Sequence, residues 1–443
     1  MNSVTMENNY RDLVIGTDTK IPLSNGKLVP VVNFDNAATT PPFKSVMEEL
    51  NSFAPWYSSI HRGKGLKSQI SSEFYDNARK IIMSFVGANL ESDTAIFVKN
   101  TTEAINKLSF RLCTNNKRCV ILSTNMEHHS NDLPWRDKYR VDYIATNASG
   151  KLSLSDLENK LKKYDGFVKL VTVSGASNVT GYINPIYKVA ELAHKYNAKI
   201  LVDGAQLVPH VPVNMNPENY SHHIDYLAFS AHKMYAPFGI GVLIGPKETF
   251  KSGPPDYSGG GTVQIVTHQF VSWNDPPDKE EAGSPNLMGV VALAASIATL
   301  TNVGMGKIDK YEKQLTRYTL NRLRDIDGVE IYGDSIDCSE KVGIIPFNID
   351  GFHHNTIAEI LSYEAAIAVR TGCFCAQPYV QNLLNISEEA MKSYIANPKS
   401  PRPGMVRVSF GLYNTLQEID ILLHMLKKIT CNKNYYLSKY NNP

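Results

Sequence analysis

The sequence predicts an α/β protein: a mostly parallel sheet, followed by a smaller α+β region. Three observations carry this. Between about residues 94 and 245, short continuous apolar runs alternate with amphipathic stretches, the mark of buried parallel strands joined by helical crossovers. Polar and ionisable residues gather where those strands should end. After about residue 300 the order changes to a long helical pattern interleaved with isolated strands.

In chain order, residues 1–29 read as an arm that packs on one of the domains. "TAIFVK" (94–99) is the first buried strand, and "TTEAINKLSFRL" (101–112) is the helix after it. "CVILSTN" (119–125) precedes the helical "EHHSNDLPWRDK" (127–138). A capping box from Ser155 to Glu158 should open the next helix. "VKLVTVS" (168–174), "KILVDGA" (199–205), "DYLAFSA" (225–231) and "GIGVLIG" (239–245) are further strands, with a helix over 184–197. The apolar "MGVVALAASIATL" (288–300) is too short to span a bilayer. A long helix over 307–326 leads to strands "VEIYG" (329–333), "VGIIPFNI" (342–349) and "MVRVSF" (405–410), with helices over 355–364 and 415–429. Residues 385–404 end in Pro, Gly and Ser and read as a loop-like excursion. The expected domains are a large one over 30–298 and a small one over 299–443.

Composition excludes some functions. Lys plus Arg number 45 against 43 Asp plus Glu, which leaves no electrostatic footprint for a nucleic acid or an anionic membrane. The polar N-terminus lacks the plan of a signal peptide. Six irregularly spaced cysteines do not form a disulfide framework, so a cytoplasmic setting is expected.

Ligands of open parallel sheets bind beyond the carboxyl ends of the strands. Here those ends carry Thr101 and Thr102, Glu127 with His128 and His129, Ser177 with Asn178, Asp203 with Gln206, and Ser230 with His232 and Lys233. Singly, each has an ordinary reading. A threonine caps a helix, Asp before Gly forms a turn, and a lysine after a strand is solvated. Jointly they match the needs of pyridoxal phosphate: a lysine for a Schiff base, an acid facing the pyridine nitrogen, and hydroxyls at a helix N-terminus for the phosphate. Lys233, Asp203, and Thr102 with Ser230 fit those roles. His128 would serve as ring partner and Gln206 as donor to the phenolic oxygen. No phosphate loop of the G-x-x-x-x-G-K-[ST] type and no H-E-x-x-H motif occurs, and "GIGVLIG" misses the dinucleotide spacing. Cys373 and Cys375 lack a second thiol pair for a structural zinc site.

The blocks "NFDNAATTPP", "MEHHSNDLPW", "SNVTGYINP", "VDGAQLVPH", "FSAHKMYAPFGIGVLIG", "EEAGSPN", "VRTGCFCAQP" and "VRVSFGLYNT" resemble the class V aminotransferase fold, and within it the cysteine desulfurases that also act as selenocysteine lyases. The resemblance implies a fold type I, pyridoxal phosphate-dependent transferase. It implies Lys233 as the Schiff-base lysine, with Asp203 on the pyridine nitrogen, Gln206 on the phenolic oxygen and His128 stacked on the ring. Thr101, Thr102, Ser230 and His232 hold the phosphate, and Asn178 lies near ring and substrate. Arg407 clamps the substrate carboxylate, with Arg370 beside it. Ser284 would reach the partner subunit's cofactor in a homodimer. The nucleophile falls on Cys375, with Cys373 standing where histidine is usual. The implied reaction takes sulfur from L-cysteine, leaving alanine and a persulfide on Cys375 that passes to an acceptor protein or small thiol. Other class V chemistry (a C–S lyase, an epimerase or a transaminase) and a non-catalytic scaffold are the alternatives.

Overall fold

The computed structural model describes residues 10–440 apart from Arg62, 113–118, 334–335 and 398. Seven strands form the main sheet: β1 (Asp93–Val98), β2 (Val120–Thr124), β3 (Arg140–Ile144), β4 (Val168–Ser174), β5 (Lys199–Asp203), β6 (Tyr226–Ser230) and β7 (Gly241–Pro246). Their order is β1-β7-β6-β5-β4-β2-β3. β2 to β6 run parallel to one another. β7 alone is antiparallel to both strands it touches. The short 231–240 connection explains this, because a parallel return needs a crossover of a dozen residues or more.

Alternation within each strand feeds two cores. Ala95, Phe97, Ile200, Val202, Leu227 and Phe229 point into one apolar cluster. Ile96, Val98, Leu201, Tyr226 and Ala228 point into another on the opposite face. With helices on both faces, every second residue is as buried as its neighbours, so the strands read as continuous apolar runs. The helix Leu287–Val303, apolar nearly all round, is buried in the first cluster. It breaks at Gly304 (φ 91°) and turns by 76° into Met305–Leu323. Among the described residues no single helix is long and apolar enough to cross a membrane.

A second, antiparallel sheet follows: β8 (Val329–Ile331), β9 (Ile344–Ile349), β10 (Arg370–Gly372) and β11 (Met405–Ser409), in the order β8-β9-β11-β10. Its core includes Ile345, Phe347, Val406 and Val408 from the sheet and Ile360, Leu422 and Leu426 from the helices His354–Ala365 and Leu416–Cys431. The latter opens with a capping box between Thr415 and Glu418.

Three expectations need correction. The helix Leu154–Tyr164 is capped by Ser153, whose side chain accepts from Asp156 N, so Ser155 lies inside it. The 385–404 excursion carries a helix, Glu388–Ala396, capped by Ser387 and with no buried residue. The arm touches both halves: Val14 enters the main core, while Arg11 pairs with Glu418 at 2.6 Å.

Candidate active site

The carboxyl ends of β2, β4, β5 and β6, the start of the helix Thr101–Leu112, and the small-sheet strands β10 and β11 surround a cavity of about 250 Å³. Lys233, Asp203, Gln206, His128, Asn178 and His232 line it. So do Thr101, Thr102, Ser230, Cys375, Arg370 and Arg407. Ser284 does not. It lines a second cavity of about 490 Å³ with Tyr57, His61, Gly260 and Gly261.

One end of the cavity is built for an anion. Asn100, not a threonine, caps the helix, its Oδ1 accepting from Glu103 N at 3.0 Å. Thr101 and Thr102 are thereby free for other partners. Ser230 Oγ accepts from Thr101 N at 2.8 Å and lies 2.7 Å from Thr101 Oγ1. Thr102 Oγ1 meets Ser130 Oγ at 2.7 Å. Backbone donors, hydroxyls and the positive end of the helix dipole together suit a phosphate.

The floor carries the ionisable groups. Lys233 closes a tight turn after β6. Burial lowers its pKa to about 8, against the opposing pull of Asp203. Asp203, at the tip of β5, accepts from Ala205 N at 3.0 Å. Burial raises its pKa, while Lys233 lowers it. Gln206 Nε2 donates to Ala37 O at 2.6 Å, and its buried Oε1 has no partner among the described residues. His128 Nδ1 accepts from Ser130 N at 3.1 Å. Burial, then the nearby Lys233, drops its pKa to about 3, so the imidazole is a neutral ring with its proton on Nε2. Burial likewise lowers His232 to about 4.

The opposite wall carries two guanidiniums. Arg407 on β11 is buried; its Nη1 donates to Asn178 O at 2.8 Å and its Nη2 to Asp35 Oδ1 at 3.1 Å. Its Nε has no partner among the described residues. Burial lowers its pKa to about 10, with Asp35 opposing. Arg370 lies beside it on β10, its Nη1 3.6 Å from Asp35 Oδ2. The Asp35 carboxylate thus sits between two arginines.

The cysteine loop follows β10. Gly372 (φ 98°), Phe374 (φ 51°) and Cys375 (φ 55°) are left-handed, a conformation uncommon outside glycine. Asn178 Nδ2 donates to Phe374 O at 2.6 Å, and the Phe374 ring packs 4.9 Å from the Arg407 guanidinium carbon. Cys375 is exposed and opens into the cavity. Cys373 turns away. Its Sγ donates to Pro403 O at 3.4 Å, and it lines a separate cavity of about 270 Å³ with Met391 and Tyr394 of the extra helix.

Sequence reasoning gave no site role to Asp35 or Ser130. A hydroxyl two residues beyond His128 was a usable signal for Ser130. Nothing local pointed to Asp35, whose partner Arg407 is 372 residues away.

The sequence profile of the class V aminotransferases matches residues 32–422, which takes in every residue of this cavity. A protein named probable cysteine desulfurase from Halalkalibacterium halodurans is 33% identical over 407 residues, covering 90% of this chain and 93% of its own. The cysteine desulfurase of Haloferax volcanii is 32% identical over 402 residues, 89% and 88% of the two chains. The apo structure of the cysteine desulfurase from Thermococcus onnurineus NA1 matches with a TM-score of 0.81 at 33% identity, over 94% of this chain and 97% of that one. Profile, relatives and fold agree over nearly the whole length: the chain belongs to the class V aminotransferase family.

Proposed function

We propose that this protein is a pyridoxal phosphate-dependent cysteine desulfurase that converts L-cysteine to L-alanine and leaves the sulfur as a persulfide on Cys375. One observation carries the reading. Of the two neighbouring cysteines, Cys375 opens into the cavity that holds Lys233, Asp203 and Arg407, whereas Cys373 opens into another. The cysteine desulfurases among the relatives support it.

The cavity's donor set fits the cofactor. Thr101 and Thr102, at the N-terminus of their helix, and Ser230, at the end of β6, would take its phosphate, with His232 alongside. Asp203 would face its pyridine nitrogen, and the Gln206 amide, with one buried atom unpartnered, its phenolic oxygen. His128, neutral and flat, would cover its ring, and Lys233 would anchor it covalently. When bound, pyridoxal phosphate supplies an electron sink for the substrate's α-carbon.

The remaining steps belong to the chain. Arg407 and Arg370 bind the substrate carboxylate in place of Asp35, and Asn178 borders the same space. A planar guanidinium suits this because it meets a carboxylate with two parallel bonds. Lys233, with a pKa near neutrality, moves the α-proton. The Cys375 thiolate attacks the substrate sulfur. A sulfur–sulfur bond forms as the carbon–sulfur bond breaks, and its electron pair stays on carbon and is protonated to give alanine. The sulfane sulfur then leaves to a thiol acceptor, small or protein-borne.

The proposal includes a homodimer. Ser284 lies off the Lys233 cavity, and in the proposed dimer it would reach the partner subunit's cofactor. The hairpin of Val263–Val266 and Val271–Trp273 leaves Ile265, Val266 and Phe270 exposed, an apolar surface suited to a second copy. Free cysteines at Cys119, Cys338, Cys373, Cys375 and Cys431 suit the reducing cytoplasm.

The test is incubation of the holoenzyme with L-cysteine and excess dithiothreitol, which reduces the Cys375 persulfide and releases its sulfur as sulfide, measuring alanine, sulfide and pyruvate. Alanine and sulfide in equal amounts, lost in Cys375→Ser, are expected. Pyruvate in place of alanine would identify a C–S lyase instead.

A further inference from the structure

We infer that His129, the second histidine after β2, is a positioning residue for the cysteine loop: its neutral imidazole latches the loop onto the main sheet, and acid opens the latch. The inference rests on Cys375 being the reacting thiol.

The loop cannot hold its shape unaided. Phe374 and Cys375 both sit at positive φ, a strained conformation that persists only where the surroundings impose it. Three hydrogen bonds reach it from the main-sheet side. Asn178 makes one, to Phe374 O. His129 makes the other two: its backbone N donates to Cys375 O at 2.7 Å, and its Nε2 accepts from Gln377 N at 3.2 Å. They straddle Ala376, and together with the Asn178 bond to Phe374 O they hold the thiol-bearing residue on both sides.

Gln377 is the first residue of the helix Gln377–Leu383. Its N–H has no acceptor within the helix, so His129 satisfies a group that would otherwise have only water. An N–H donates only to a ring nitrogen that carries no proton, so the latch needs His129 protonated at Nδ1 alone. A second proton on Nε2 would set donor against donor.

The charged neighbours are few. Asp132 and Arg136 come from the same segment and are paired with each other. The His128 ring is 6.3 Å away, and Cys375 faces His129 from the loop. Burial and Arg136 lower the His129 pKa, and Asp132 opposes them. Because the Gln377 N–H occupies Nε2 in the docked loop, that state holds a second proton on His129 less tightly than an undocked one. Lowering pH shifts the balance toward undocking, below the ordinary histidine range.

The test uses the holoenzyme and two variants. Hydrogen exchange of the Gln377 amide is followed from pH 5 to 9, alongside alkylation of Cys375 relative to the exposed Cys431 and the kcat and KM for L-cysteine. In His129→Ala, Gln377 exchange beyond its intrinsic pH dependence should quicken about tenfold at neutral pH, the cost of one such hydrogen bond. kcat should fall with little change in KM. In His129→Gln, whose amide oxygen can accept without titrating, protection of the Gln377 amide should persist and its loss in acid should disappear. Unchanged Gln377 exchange in His129→Ala, or an acid loss of Gln377 protection that survives in His129→Gln, would overturn the inference. Failure of the desulfurase reading alone would look different: Cys375→Ser would keep full activity while the exchange results stood.

Discussion

The two walls of the cavity are built in opposite ways. The main-sheet wall is made of strand tips whose side chains are locked from behind. The Glu127 carboxylate alone accepts from the Thr124 and Ser174 hydroxyls, Ser174 N and Asn131 Nδ2, at 2.5 to 2.9 Å, which fixes β2, β4 and the turn bearing His128. The facing wall is a loop in left-handed conformations, held by a few bonds at its edges and bordered by an exposed helix. A rigid wall of strand tips suits a cofactor that stays in place. A short, strained loop suits a thiol that must approach one partner and be reached by another. Part of the chemistry shared across the family thus sits where the fold is least able to move, and the step proposed here sits where it is most able to.

Substitutions should divide along the same line. Lys233→Ala, on the rigid wall, should remove covalent cofactor attachment and cut turnover by on the order of a thousandfold or more; borohydride trapping followed by mass spectrometry checks the attachment. Cys375→Ser, on the loop, should cut persulfide formation as severely yet leave the absorption spectrum of the bound cofactor intact. A spectrum that changes would mean that the walls are not independent.

Arg407→Lys should raise KM by about ten- to a hundredfold, because a point charge replaces a planar fork already aligned by Asn178 and Asp35. The melting temperature and cofactor spectrum should hold.

Without cofactor, Lys233 should become reactive toward an amine-acylating reagent as pH rises through about 8, well below an ordinary lysine. Asp203 favours the charged amine, so Asp203→Asn should move that midpoint lower. A higher midpoint would reverse the assignment of their coupling.

The smallest effect is expected from Cys373→Ser, within about twofold in kcat, since that thiol faces the other cavity. A loss matching that of Cys375→Ser would show that the two cavities communicate.

Much of the rigid wall was legible because its signals are local. Buried parallel strands give continuous apolar runs, and the residues just beyond them are those the topology gathers. The loop wall was less legible. Two residues apart on a strand share a face, so spacing alone puts Cys373 and Cys375 together; left-handed backbone at Phe374 and Cys375 turns them apart. The helix Glu388–Ala396 buries no side chain, so it leaves no apolar period to read. Asn100 and Ser153 took capping roles expected of nearby residues because several adjacent side chains could serve, and only the path of the chain entering each helix decides. Asp35 depends on a contact far along the chain.

The segment from Phe34 to Thr40 has one further consequence. It is bound to the Lys233 turn through Thr40, which donates to His232 O and accepts from Tyr235 N. It is bound to β11 through Ala37, which donates to Ser409 Oγ, and Phe34, which accepts from Ser409 N. Amine and guanidinium are therefore held on one short tether, and the chain carries a ruler. On the roles proposed for Lys233 and Arg407, the span between a substrate's α-proton and its carboxylate is gauged by this tether, while the side chain beyond the α-carbon is left unmeasured. Discrimination between α- and β-amino acids should then be strict, and discrimination among side chains must come from elsewhere, from the reach of Cys375.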